Sequence, residues 1–125
     1  MSYKLKTMEK KDYLYANVEG NRTSESIKNV TRDICEMCVK NQFSKVLIDV
    51  RNFKENVELI KLYSLASIEL PEIIQKRIKK VAIIDREGIE DNQRFFENVA
   101  RNRGHNVRIF TDINDAEQWL SNNVD

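Results

Sequence analysis

The stretch Lys45-Val46-Leu47-Ile48-Asp49-Val50 decides the fold class. Three successive apolar residues before the aspartate show neither the alternation of a half-buried strand nor the spacing of an amphipathic helix. A short continuous apolar run suits a strand covered on both faces, as in a parallel sheet. A similar run follows over residues 81–85, centred on Ala82-Ile83-Ile84, and residues 107–110 read as the last strand. Upstream, residues 3–8 and 13–18 alternate instead. Leu14, Ala16 and Val18 then share one strand face, and Tyr13, Tyr15 and Asn17 the other. The charged link Glu9-Lys10-Lys11-Asp12 joins these two segments as a hairpin, and Gly20-Asn21 breaks its second strand.

Helical patterns fill the intervals. Thr23 or Ser24 caps a helix whose apolar stripe is Ile27, Val30, Ile34, Met37 and Cys38, ending near Asn41. Arg51 to Glu55 reads as loop. Asn56 caps a second helix running to about residue 70, and residues 71–77 form a short further one carrying Ile73 and Ile74. Residues 89–103 place Phe95, Phe96, Val99 and Ala100 inward, and Gly104 suits the left-handed position that closes such a helix. Asp112 caps a last helix through Ala116, Trp119 and Leu120. The predicted fold is α/β, one domain over residues 1–125. Its mixed five-stranded sheet has an N-terminal antiparallel hairpin, parallel strands near 45–50, 80–85 and 106–111, and four to five flanking helices.

Composition narrows the function. The 125 residues carry 21 Lys+Arg against 20 Asp+Glu, a net charge of +1. Polyanion binding needs a large basic excess, so nucleic acid is not an expected partner. The 41% hydrophobic content is that of a folded chain. No apolar run approaches the ~20 residues of a bilayer span, and the opening Met-Ser-Tyr-Lys-Leu-Lys lacks the apolar core of a signal peptide. The expectation is a soluble cytoplasmic protein.

Few residues suggest chemistry. Cys35-Glu36-Met37-Cys38 has the C-x-x-C spacing, but it falls well inside a helix, away from the N-terminal dipole that lowers a thiol pKa. Two small packing residues in a reducing compartment is the plainer reading. His105 is the single histidine and has no nucleophile beside it in sequence. Gly20, Gly88 and Gly104 are too scattered to cradle a phosphate, and no cofactor is expected. The run Lys76-Arg77-Ile78-Lys79-Lys80 reads as the solvated end of a helix, where cations complement the dipole.

Asp49, Asp85 and Asp112 fall at or just past the ends of the three predicted parallel strands, with Arg51 and Arg86 nearby. Ligands of open α/β sheets bind in the crevice outside those ends, so these five residues form one candidate site, for Mg²⁺ or an anion. Against this, Asp is a common loop and capping residue. The second candidate is residues 56–70, apolar around most of the circumference. Leu59, Leu62, Tyr63, Leu65 and Ala66 lie at its centre. Such a helix is covered on more than one side, by the domain itself, by a second protein or by an apolar ligand.

The chain resembles the SpoIIAA-like members of the STAS superfamily, the anti-sigma-factor-antagonist fold. The likeness spans residues 13–120 and rests on Val46-Leu47-Ile48-Asp49-Val50-Arg51-Asn52-Phe53, on Lys80-Val81-Ala82-Ile83-Ile84 and on Ala116-Glu117-Gln118-Trp119-Leu120. Sec14-type lipid-binding domains are often compared with the same family. The resemblance implies a four- or five-stranded sheet with helices mainly on one side, and a non-enzymatic role in protein interaction or ligand sensing. Antagonists of this family carry a phosphorylatable Ser at the start of the helix after the Asp-bearing strand. Here that stretch is Phe53-Lys54-Glu55-Asn56-Val57-Glu58, without a hydroxyl, and Ser64 and Ser67 lie well inside the helix. The phosphoswitch does not carry over.

Three functions follow from this reading. The first is a regulatory STAS-like module contacting a protein partner or a second copy of itself through residues 56–70. The second is an apolar-ligand or lipid carrier using the same helix as a lid. The third is an enzyme in the crevice around Asp49 and Asp85, for which no nucleophile–base pair stands out.

Overall fold

The computed structural model describes residues 3–22, 24–55, 78–86 and 106–122, with Arg94, Glu97, Asn98 and Arg101 between them. Five strands are present: β1 (Tyr3–Glu9), β2 (Leu14–Arg22), β3 (Lys45–Glu55), β4 (Lys80–Ile84) and β5 (Val107–Phe110). They form one sheet in strictly sequential order, β1-β2-β3-β4-β5. The first pair is antiparallel and the other three are parallel, as the sequence predicts.

Two helices, rather than four or five, stand among the described residues: α1 (Ser24–Lys40) and α2 (Ile113–Ser121). The four described residues of the 89–103 stretch are also helical. The expected helices over 56–70 and 71–77 lie outside the described residues, as do Thr23, Gly88, Gly104 and His105.

The sheet alternation sorts the core into two layers. Leu14, Ala16, Val18 and Val46 pack with Val30, Ile34 and Cys38 of α1. Leu47, Ala82 and Ile84 point the other way and pack with Ala116 and Leu120 of α2. The described helices therefore cover opposite faces, where the family resemblance implies one main side. The continuous run Val46-Leu47-Ile48 is apolar because it feeds both layers at once.

α1 ends as its sequence suggests, but without glycine. Phe43 N–H donates to the Cys38 carbonyl at 2.8 Å and Gln42 N–H to Val39 at 3.4 Å, while Gln42 sits at φ 63°. This is a Schellman closure with a side-chain-bearing residue in the left-handed position.

Two expectations at the end of the sheet fail together. Gly20 does not break β2, and Arg51 to Glu55 is not a loop. Gly20 takes φ 122°, a conformation open to a residue without Cβ, and β2 continues to Arg22. β3 continues beside it, pairing Glu19 with Asn52 and Gly20 with Phe53. Between Asn17–Asp49 and Glu19–Asn52 the register shifts, so that β3 holds one extra residue against Val18. That β-bulge reverses the side-chain alternation. Phe53 consequently joins the α1 layer, 3% exposed, although it is four residues from the α2-facing Asp49.

Candidate functional site

The bulge organises the strand-end acids. Asp49 is 3% exposed and faces the α2 side next to Leu47. Its Oδ1 accepts the Arg51 backbone N–H at 3.1 Å and Arg51 Nε at 3.0 Å. Its Oδ2 accepts Arg51 Nη2 at 2.7 Å and the Tyr15 hydroxyl at 3.2 Å. Asn17 Nδ2 donates in turn to the Tyr15 oxygen at 3.5 Å. The carboxylate thus satisfies a backbone donor that the register shift takes out of the ladder, and holds Arg51 in a two-pronged grip.

Burial pushes the Asp49 carboxyl up. The Arg51 side-chain and backbone bonds, the Arg51 charge and the Tyr15 hydroxyl outweigh it and leave the group below its ordinary value. Arg51 is raised, first by its bond to Asp49. Asp49 is therefore a fixed anion at neutral pH, with all of its described bonds serving the fold. The motif Asp49-x-Arg51-x-Phe53 reads physically as a bulge: anion, counter-ion, and the aromatic that the bulge turns to the opposite layer.

Asp49 is not at a strand end, because β3 runs on for six residues to Glu55. It is level with the end of β4 instead, opposite Ile84. Asp85 follows that end, buried; its N–H donates to Phe110 and its Oδ1 accepts the Arg86 N–H at 2.8 Å. Asp112 is exposed and caps α2, accepting Asn114 N–H at 2.7 Å. The structure brings Asp49 and Arg51 into direct contact, and Asp112 serves its helix. Among the described residues, no three His, Cys, Asp or Glu side chains gather as a metal site. Leu59, Leu62, Tyr63, Leu65 and Ala66 lie outside the described residues.

Cys35 and Cys38 are buried free thiols on α1. Burial, with Glu36 adding to it, pushes Cys35 up to about 11. Burial, with Cys35 adding to it, pushes Cys38 up to about 12. Both are protonated at neutral pH and lack the thiolate that redox chemistry requires.

Sequence reasoning missed two polar links on the α2 face. The Tyr13 hydroxyl donates to Glu117 Oε2 at 2.6 Å, tying the hairpin to α2. Burial and this bond push Tyr13 up to about 12. Lys80 closes the sequence's basic run, yet it is 3% exposed within β4. Its Nζ donates to the Trp119 carbonyl at 3.0 Å and to the Asn122 carbonyl, and lies 5.1 Å from the Trp119 ring centroid. The last turn of α2 carries no basic residue, so β4 supplies the cation that its dipole favours. The shared face of Tyr13, Tyr15 and Asn17 was visible as alternation, whereas their partners are distant in sequence.

The sequential mixed sheet, the Asp-x-Arg bulge and the terminal Ala-x-x-Trp-Leu helix make one mixed α/β domain in which the motifs of the SpoIIAA-like resemblance are in place. The SpoIIAA-like family profile matches residues 13–121, and the chain belongs to that family. An uncharacterised protein with a SpoIIAA-like fold from Shewanella loihica is 20% identical, with TM-score 0.59 over 95% of this chain and 93% of that one. An anti-sigma factor antagonist from Mycobacterium paratuberculosis is 11% identical, with TM-score 0.58 over 97% and 96%. Comparison with curated proteins gives no match. Among the described residues, no helix is long and apolar enough to cross a membrane.

Proposed function

We propose that this protein is a non-enzymatic regulatory module that works by protein contact in the cytoplasm. Its contact surface is the apolar stretch 56–70, centred on Leu59, Leu62, Tyr63, Leu65 and Ala66, and its partner is a second copy of the chain. The observation that carries the non-enzymatic part is the Asp49 grip. Asp49, one of the crevice acids, is held as an anion by Arg51 and Tyr15, so it neither gives nor takes a proton near neutral pH. Family membership, and the likeness in fold to an anti-sigma factor antagonist, support a role in protein contact. The stretch Phe53 to Glu58 offers no hydroxyl, so the contact operates without the family's phosphorylation step.

The test is light scattering after size exclusion, over a range of concentrations. The wild-type chain forms a dimer, and Leu62→Lys and Leu65→Lys leave a monomer with unchanged circular dichroism. A wild-type chain that stays monomeric throughout, with both variants unfolded, refutes the reading. Native mass spectrometry on the same samples tests the apolar-ligand alternative directly.

A further inference from the structure

β1 is an edge of the sheet and, among the described residues, pairs with β2 alone. Lys10 N–H donates to the Tyr13 carbonyl at 2.9 Å, which fixes the phase of the antiparallel ladder. Bonded and non-bonded pairs alternate from there, so the backbone groups of Tyr3, Leu5, Thr7 and Glu9 aim outward from the sheet. The opposite edge is different. There the Ile109 N–H of β5 donates to Glu97 Oε2 at 2.6 Å, so a side chain of this chain already occupies that donor.

The β1 edge also borders an open groove of about 740 Å³. One wall is four consecutive β1 residues, Tyr3 to Leu5 and Lys6, which is the signature of a groove running along the strand's backbone. The other wall is Asp33, Glu36, Met37 and Lys40, one face of α1 at helical spacing. Leu5 and Met37 provide apolar floor and pack against the core. A strand edge facing a helix across an apolar floor is the geometry of β-strand addition: backbone bonds give affinity, and alternate side chains fill the groove.

We infer that this groove docks an extended acidic segment of another protein, which joins the sheet beside β1. Charge selects the occupant. Lys4 and Lys6 are exposed on the face of β1 opposite Leu5, while Lys40 stands on the α1 wall. Of the two acids on the α1 wall, Asp33 accepts the Tyr3 hydroxyl at 3.0 Å and lies 3.7 Å from Arg32, and Glu36 stands four residues before Lys40 on the helix, a spacing at which opposite charges offset each other. The same lysines oppose a second copy. A two-fold antiparallel pairing centred on Leu5 sets Lys4 against Lys6, and one centred on Lys6 sets that lysine against itself. Lysine on an edge strand is a standard guard against self-pairing. A segment alternating acidic and apolar residues meets the lysines with one set of side chains and the Leu5–Met37 floor with the other.

The probe is a fluorescein-labelled heptapeptide alternating Glu with Val and Ile. Two controls accompany it: the same peptide with Lys for Glu, and the acidic peptide N-methylated at alternate backbone amides. Anisotropy gives affinity, and amide hydrogen exchange locates the contact. The acidic peptide binds and slows exchange at Leu5 and Thr7, the N-methylated peptide does not bind, and the Lys peptide binds at least tenfold more weakly. The variant Lys4→Glu/Lys6→Glu changes exposed side chains only, keeps the wild-type circular dichroism, and loses about tenfold in affinity for the acidic peptide. No binding by the acidic peptide, equal binding by either control, or protection elsewhere than β1 overturns the inference. So does concentration-dependent protection of Leu5 and Thr7 in the free protein, which would assign the edge to a second copy.

Discussion

Replacing Lys80 with methionine tests whether a buried strand lysine closes α2. The substitution keeps an unbranched side chain of similar length and removes the ammonium. Four interactions go with it. The bonds to the Trp119 and Asn122 carbonyls are charge-assisted, and such bonds contribute about 1.5–3 kcal/mol each. A cation at a helix C-terminus contributes about 0.3–1 kcal/mol. The ring contact at 5.1 Å adds about 0.5–1 kcal/mol. Against these, a thioether has no charge to desolvate, an offset of several kcal/mol for a buried ion. Asn122 is exposed, so its carbonyl can turn to water, whereas Trp119 is half-buried. The balance is a loss of about 2–3 kcal/mol, or a fall in Tm of about 6–12 °C for a chain of this length. The chain has a single tryptophan, and it is in the affected turn. Urea unfolding followed by its fluorescence and by far-ultraviolet circular dichroism reads both the local and the global change. A Lys80→Met protein as stable as wild type, or more so, refutes the capping role.

The remaining expectations use other elements. Asp49→Asn flattens the acid limb of stability. The folded Asp49 pKa is depressed, so its contribution is full above the unfolded carboxyl value of about 3.9 and is lost as pH falls toward the lower folded value. Urea midpoints between about pH 2 and 5 then depend less on pH in the variant than in wild type. Gln42→Gly relieves a side chain at φ 63° and raises stability by about 0.5–1 kcal/mol, read by thermal unfolding. Phe53→Ala costs about 3–5 kcal/mol, because the bulge has turned that ring into the α1 layer. Iodoacetamide labels Cys35 and Cys38 only after unfolding at pH 8, as mass spectrometry of native and urea-treated samples checks.

Local pattern carries much of this fold. Alternation in residues 3–8 and 13–18 marks the hairpin, because one side of each strand packs and the other does not. The Val30, Ile34, Cys38 stripe marks α1, and the Asp112 cap marks α2. What escapes the sequence depends on partners distant in the chain. Arg51 to Glu55 is polar enough to read as loop, and it is a strand only because β2 continues past Gly20 to pair with it. Lys80 sits in a basic run that looks solvated, and its burial depends on α2, some forty residues on. Of the three crevice acids, Asp85 and Asp112 follow the ends of β4 and β5 as the sequence suggests, and Asp49 does not end β3. Asp49 lies within a strand, and its charge is answered by its own second neighbour.

The sequential strand order bears on how the molecule is made. Each strand after the first pairs with the one that precedes it in the chain. As the polypeptide leaves the ribosome, every new strand meets a template already exposed, and none must be threaded between two that have already joined. The sheet can grow by accretion, outward from the hairpin. At every stage the newest strand is the exposed margin, until Glu97 closes it on Ile109.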